Sequence, residues 1–145
     1  KSVKSFLNTI QSDLFSIGGS LAGWPARNAS HREAGGKTGL SVLETRITQM
    51  EVEIDAMETD LTVLTNFILP GGTSAAARVH LARSVCRRVE RQVVALAQRQ
   101  AVDPAIIKYL NRLSDLFFVL ARFINKDKHV SEVIWSGIPR QEKSK

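Results

Sequence analysis

The chain has 145 residues, 43% of them apolar and 23% charged, with a formal net charge of +6. That length suits one domain with a real core and is too short for two comfortable ones, so a single domain over residues 1–145 is expected. One cysteine, Cys86, excludes an intramolecular disulfide and a cysteine-built metal cage; no run nears the roughly 20 apolar residues of a membrane helix, and Lys1-Ser2-Val3-Lys4 opens no signal-peptide core, so the sequence reads as soluble, in a reducing, cytoplasmic setting.

Apolar residues recur alternately three and four apart, the period of one stripe on a helix. Val3, Leu7, Ile10, Leu14, Ile17 and Leu21 mark a first predicted helix. Gly23 to Gly39 follows, rich in Gly, Pro, Asn and Ser and without periodicity, and reads as a mobile loop. Ser41-Val42-Leu43-Glu44 forms a capping box that opens a second predicted helix through Leu43, Ile47, Met50, Ile54, Met57, Leu61, Leu64 and Ile68, until Pro70-Gly71-Gly72 stops it. Thr73 or Ser74 caps a third, through Val79, Ala82, Cys86, Val89, Val93 and Leu96. Asp103-Pro104 opens a fourth, through Ile106, Leu110, Leu113, Phe117, Leu120 and Ile124. Val130 to Trp135 predicts a short fifth helix, and Arg140 to Lys145 a solvated tail. Stripes of this kind favour an all-α bundle.

The charge is segregated. Glu44 to Asp60 holds Glu44, Glu51, Glu53, Asp55, Glu58 and Asp60 against Arg46, a net of −5, whereas Arg78 to Arg91 holds Arg78, Arg83, Arg87, Arg88 and Arg91 against Glu90, a net of +4. On helical spacing Arg83, Arg87, Glu90 and Arg91 share one face beside the apolar stripe, and Arg88 points elsewhere. Arginine suits polyphosphate because its planar fork donates several hydrogen bonds and keeps its charge. The plainer reading is ion pairing with the acidic helix. On the fourth helix Asn111, Asp115 and Arg122 lie together with Phe118 among them, and polar groups so near a core stripe need partners.

Phe67-Ile68-Leu69-Pro70-Gly71-Gly72, then His80 through Arg83, Arg87-Arg88-Val89-Glu90-Arg91, and Tyr109-Leu110-Asn111-Arg112-Leu113-Ser114-Asp115 followed by Phe118 and Ala121-Arg122, resemble the PduO-type ATP:corrinoid adenosyltransferases in both order and spacing. Ile10-Gln11-Ser12-Asp13-Leu14-Phe15 and Gly18 are also similar to that family, so the resemblance covers most of residues 5–135.

The resemblance implies a five-helix bundle, four long helices and a short C-terminal one, assembled as a homotrimer with active sites between subunits. It implies transfer of the 5′-deoxyadenosyl group of ATP to cob(I)alamin, with magnesium accompanying ATP and a flavoprotein or other reductase supplying the reduced cobalt. Arg87, Arg88, Glu90, Arg91 and Asn111 would meet ATP; Arg83 would pair with an acidic residue of the adjacent subunit; Phe67 and Phe118 would line the corrinoid pocket with Asp115 beside them. Arg83, Arg87 and Asp115 would then be the residues closest to the chemistry, with no protein-held metal. The family's T-[RK]-x-G-D-x-G-x-T segment, which wraps the triphosphate, is not found before Ser5, so the domain is expected to lack that part of the ATP site. Gly35-Gly36-Lys37-Thr38-Gly39 does not replace it, because a phosphate loop needs a glycine where His31 stands.

The principal rival is a basic helical module that binds nucleic acid phosphates through Arg78 to Arg91 without catalysis. It is disfavoured by the lack of exposed aromatic platforms, and neither nucleic acid nor membrane is expected as a partner. A ligand-free adaptor bundle is opposed by the Asn111 and Asp115 stripe, and a di-iron bundle is excluded because no Glu-x-x-His occurs. His80 is compatible with the site or with the surface, and Trp135 with the corrinoid edge or the end of the bundle.

Overall fold

The computed structural model describes residues 3–23, 40 and 42–137, with side chains from residue 5. Its elements are α1 (Val3–Leu21), α2 (Val42–Glu58), α3 (Ser74–Ala97) and α4 (Pro104–Asp127). Among the described residues the fold is all-α, without a strand. Of the loop expected over Gly23 to Gly39, residues 24–39 lie outside the described residues, as do the cap at Ser41 and the tail at 140–145. No described helix is long and apolar enough to cross a membrane.

Both later helices start where their sequence signals stand. Thr73 accepts from the Ala76 amide at 3.1 Å, and Asp103 accepts from the Ala105 amide at 2.9 Å with Pro104 in the first turn; each cap satisfies an amide that the helix itself cannot. α4 is the central element and packs on both α2 and α3. It buries Ile106, Tyr109, Leu110, Leu113, Leu116 and Val119 against Leu43, Ile47, Met50 and Ile54 of α2 and Cys86 and Val93 of α3. Burial at roughly 25 cal/mol per Å² of apolar surface makes this shared core the main stabilising term.

α1 is turned relative to the expected stripe. Ile10 and Ile17 are buried, but Leu7 and Leu14 are each 37% exposed, and Asp13 is buried in their stead. A carboxylate is tolerated there because it is paired: the Tyr109 hydroxyl donates to it at 3.1 Å and Arg46 Nε lies 3.3 Å away.

Two expected helical stretches are not helical. α2 ends at Glu58, and residues 59–73 follow as turn and extended chain, so Leu61, Leu64 and Ile68 continue the spacing without continuing the helix. Thr59, Asp60, Thr62, Val63, Thr65 and Asn66 are poor helix formers, and Leu69 precedes a proline, which disfavours helical backbone. Residues 130–135 form no fifth helix either. They run antiparallel to the 67–69 segment through an Ile68–Ile134 bridge, with the Leu69 amide donating to the Val133 carbonyl and the Trp135 amide to the Phe67 carbonyl, both at 2.8 Å. Val130, Val133 and Ile134 are β-branched and suit that extended pairing.

Candidate active site

The basic α3 and the acidic α2 each border α4. α4 lies against both, and it pairs two of the acids of α2: Arg112 reaches Glu51 at 3.1 Å and Lys108 reaches Glu44 at 3.2 Å. Among the described residues Arg78, Arg83, Arg87, Arg88 and Arg91 make no ion pair, which removes the plain ion-pair reading of this helix. Arg87, Arg88 and Arg91 are exposed. An exposed guanidinium with no carboxylate partner keeps its donors available to an incoming anion.

Asn111 and Glu90 are brought together, the amide Nδ2 donating to Glu90 Oε1 at 2.9 Å across the α3–α4 seam. This contact ties the one acid of the basic stretch to α4. Glu90 and Asp115 both push the buried Cys86 thiol upward, after burial as the leading cause, and Arg87 opposes them; the thiol ends at about 11. Cys86 is therefore a protonated core group, donating to the Leu110 carbonyl at 3.2 Å. Asp115 is engaged by Arg112 at 3.2 Å, on the same guanidinium that reaches Glu51.

Phe118 is held between cations. The Arg83 guanidinium carbon stands 5.0 Å from the ring centroid and that of Arg122 5.9 Å, within cation–π range. His80 meets the same ring edge-on at 6.3 Å. It is buried, not at the surface, and its pKa is lowered by burial first and by the Arg83 charge second, with Glu132 opposing. Arg83 Nε is buried and has no hydrogen-bond partner among the described residues. A buried charged donor is costly unless an acceptor meets it.

Phe67 pairs with Trp135, not with Phe118: the two rings meet edge-on at 6.1 Å. Phe67 is 78% exposed, free of the core as expected, although it stands on extended chain and not at a helix end. Sequence reasoning placed Arg122 on the polar stripe with Phe118 but gave it no role, and it missed Glu132 and Asn125 as members of this neighbourhood. A buried Arg in the polar stripe of α4 was the available signal for the first. Nothing local pointed to the other two, whose partners lie 10 and more than 50 positions away.

The profile of the family described as cobalamin adenosyltransferase matches residues 1–124. The chain is 38% identical over 127 residues to a corrinoid adenosyltransferase of Bacillus subtilis, covering 88% of this chain and 61% of that protein. It is 39% identical over 134 residues to a cobalamin adenosyltransferase of Cupriavidus metallidurans, covering 92% and 65%. It thus spans less than two thirds of either relative. A variant PduO-type ATP:corrinoid adenosyltransferase from Lactobacillus reuteri, complexed with cobalamin and ATP, superposes with a TM-score of 0.75 at 33% identity, over 90% of this chain and 68% of that one.

Proposed function

Because the chain belongs to the cobalamin adenosyltransferase family, we propose that it forms the helical part of an enzyme that transfers the 5′-deoxyadenosyl group of ATP to cob(I)alamin. The observation that carries this reading is that α3 exposes Arg87, Arg88 and Arg91 without an ion pair among the described residues, while Arg83 of the same helix stands over the Phe118 ring of α4. In the reaction the electron-rich cobalt of the corrinoid substrate attacks C5′ of ATP; the Co–C bond forms, the C5′–O bond breaks, and triphosphate leaves with the electron pair. No general base is needed. The protein's work is positioning and charge. Arg87 and Arg91, from one face, stabilise the departing triphosphate, and Arg88 belongs to the same ATP site. Asn111 holds Glu90 in place and offers its remaining polar atoms to the nucleotide. Phe67 and Phe118 line the corrinoid side, Phe67 on the lower face of cobalt, where an apolar ring disfavours an axial ligand, and Asp115 lies at the margin of that pocket.

The active unit in this reading is a homotrimer with sites between subunits. The orphaned Arg83 Nε supports it, as the donor that an acid of the neighbouring subunit would satisfy, and so does the exposure of Leu81 and Val85 on α3. Magnesium travels with the triphosphate. Among the described residues no three His, Cys, Asp or Glu side chains cluster, and in this reading the protein's share of charge stabilisation falls to the arginines. A reductase supplies cob(I)alamin, and the setting is the reducing cytoplasm, which suits the single buried thiol. Following the cob(I)alamin spectrum under a strong reductant tests the reading: the cob(I) bands decay on addition of ATP and not of ADP. Persistence of the bands with ATP, in folded, trimeric protein that carries the T-[RK]-x-G-D-x-G-x-T segment, would sink it.

A further inference from the structure

One buried guanidinium joins three separate stretches of chain. Arg122 is 5% exposed; its Nε donates to Glu132 Oε1 at 2.6 Å, and its Nη2 donates to Glu132 Oε2 at 3.3 Å and to the Thr62 carbonyl at 2.7 Å. Its carbon lies over the Phe118 ring. Thr62 belongs to the 59–73 segment that carries Phe67, and Glu132 to the 130–137 segment that carries Trp135. These two segments are otherwise joined by the short pairing around Ile68 and Ile134.

Behind part of this ribbon there is open space. Between it and α4 lies a cleft of about 400 Å³, lined by Thr62, Leu64, Ile68, Arg122, Glu132 and Ile134 among others. A wall with open space behind it needs a directional restraint. A two-point Arg–carboxylate contact supplies one, because its fork geometry fixes distance and orientation together. Burying an ion pair is a poor route to stability, since desolvation offsets most of the attraction; its use here points to position as what it secures.

We infer that the Arg122–Glu132 pair is a positioning element for the corrinoid-facing wall, setting the Phe67–Trp135 ribbon and the Phe118 ring in one register. Neither residue touches substrate. The inference rests on the reading of Phe67 and Phe118 as corrinoid-lining, and its test separates the two.

The variants are Glu132→Gln, which keeps shape and removes charge, and Arg122→Lys, which keeps charge and removes the fork. Each is made with Trp24→Phe, so that Trp135 is the one remaining tryptophan. Acrylamide quenching of Trp135, without any ligand, reports the ribbon; steady-state kinetics report the substrates. Both variants should raise Trp135 quenching and lower kcat/KM for cob(I)alamin by about tenfold or more, the scale of a misplaced wall, while the KM for ATP stays unchanged. Unchanged quenching would overturn the proposal. So would equal losses toward ATP and corrinoid with a lowered melting temperature, the mark of a merely structural pair. Raised quenching with intact corrinoid kinetics would leave the ribbon restraint standing and remove the corrinoid from that wall.

Discussion

Gly72→Ala tests the joint between the 59–73 segment and α4. Gly72 has φ +102, which L side chains rarely adopt, and a Cβ there would collide with the Asn125 amide. Asn125 is 3% exposed; its Oδ1 accepts from the Thr73 amide at 2.9 Å and its Nδ2 donates to the Gly71 carbonyl at 2.9 Å. The backbone conformation alone costs about 1–2 kcal/mol. Displacing the Asn125 side chain strands two backbone groups, adding about 1–3 kcal/mol. The sum is roughly 2–5 kcal/mol, which for a domain of this size lowers Tm by on the order of 10 °C. Thermal and urea unfolding followed by circular dichroism measures it. The collision also makes the two sites non-additive: Gly72→Ala combined with Asn125→Ala should cost less than the two separate losses by at least about 1 kcal/mol. A loss below about 1 kcal/mol for Gly72→Ala, or strict additivity in the double variant, would refute the reasoning.

Arg87→Ala should lower turnover by about 10²–10³-fold through loss of a charge-assisted contact to the leaving triphosphate, with Tm nearly unchanged because Arg87 is exposed and unpaired; a fall in Tm with turnover per folded molecule intact would restore a structural role. Phe67→Ala should leave ATP affinity unchanged and reduce the four-coordinate cob(II)alamin signal in electron paramagnetic resonance, and a wild-type signal would remove Phe67 from the site. His80 has a lowered pKa, so the folded state binds fewer protons than the unfolded one between the folded value and the ordinary 6.5. Its contribution is therefore intact above about pH 6.5 and lost as pH falls through the folded pKa. His80→Gln should flatten the decline of Tm between pH 7 and pH 5 relative to the parent, and an unchanged profile would show that another group governs it.

The sequence by itself determined the helices that carry their own punctuation. Thr73 and Asp103-Pro104 start α3 and α4 because a side-chain acceptor beside the first turn acts over two or three residues, and the basic face of α3 follows from local spacing alone. The family was legible for the same reason: its motifs are short, contiguous and ordered. Only the tertiary structure decided what Leu61, Leu64 and Ile68 do. Their spacing fits a helix, but an extended partner at Val133 to Trp135 offers backbone hydrogen bonds that a segment rich in β-branched residues accepts more readily. It likewise decided that Asp13, and not Leu14, enters the core, since the hydroxyl of Tyr109 and the guanidinium of Arg46 that make this tolerable arrive from two other helices. The arginines of α3 remain open for a reason of arrangement: α4 packs on both helices and pairs Glu44 and Glu51 of α2 with its own Lys108 and Arg112. Charge composition is a property of the chain, but which charges meet is set by which helix stands between them.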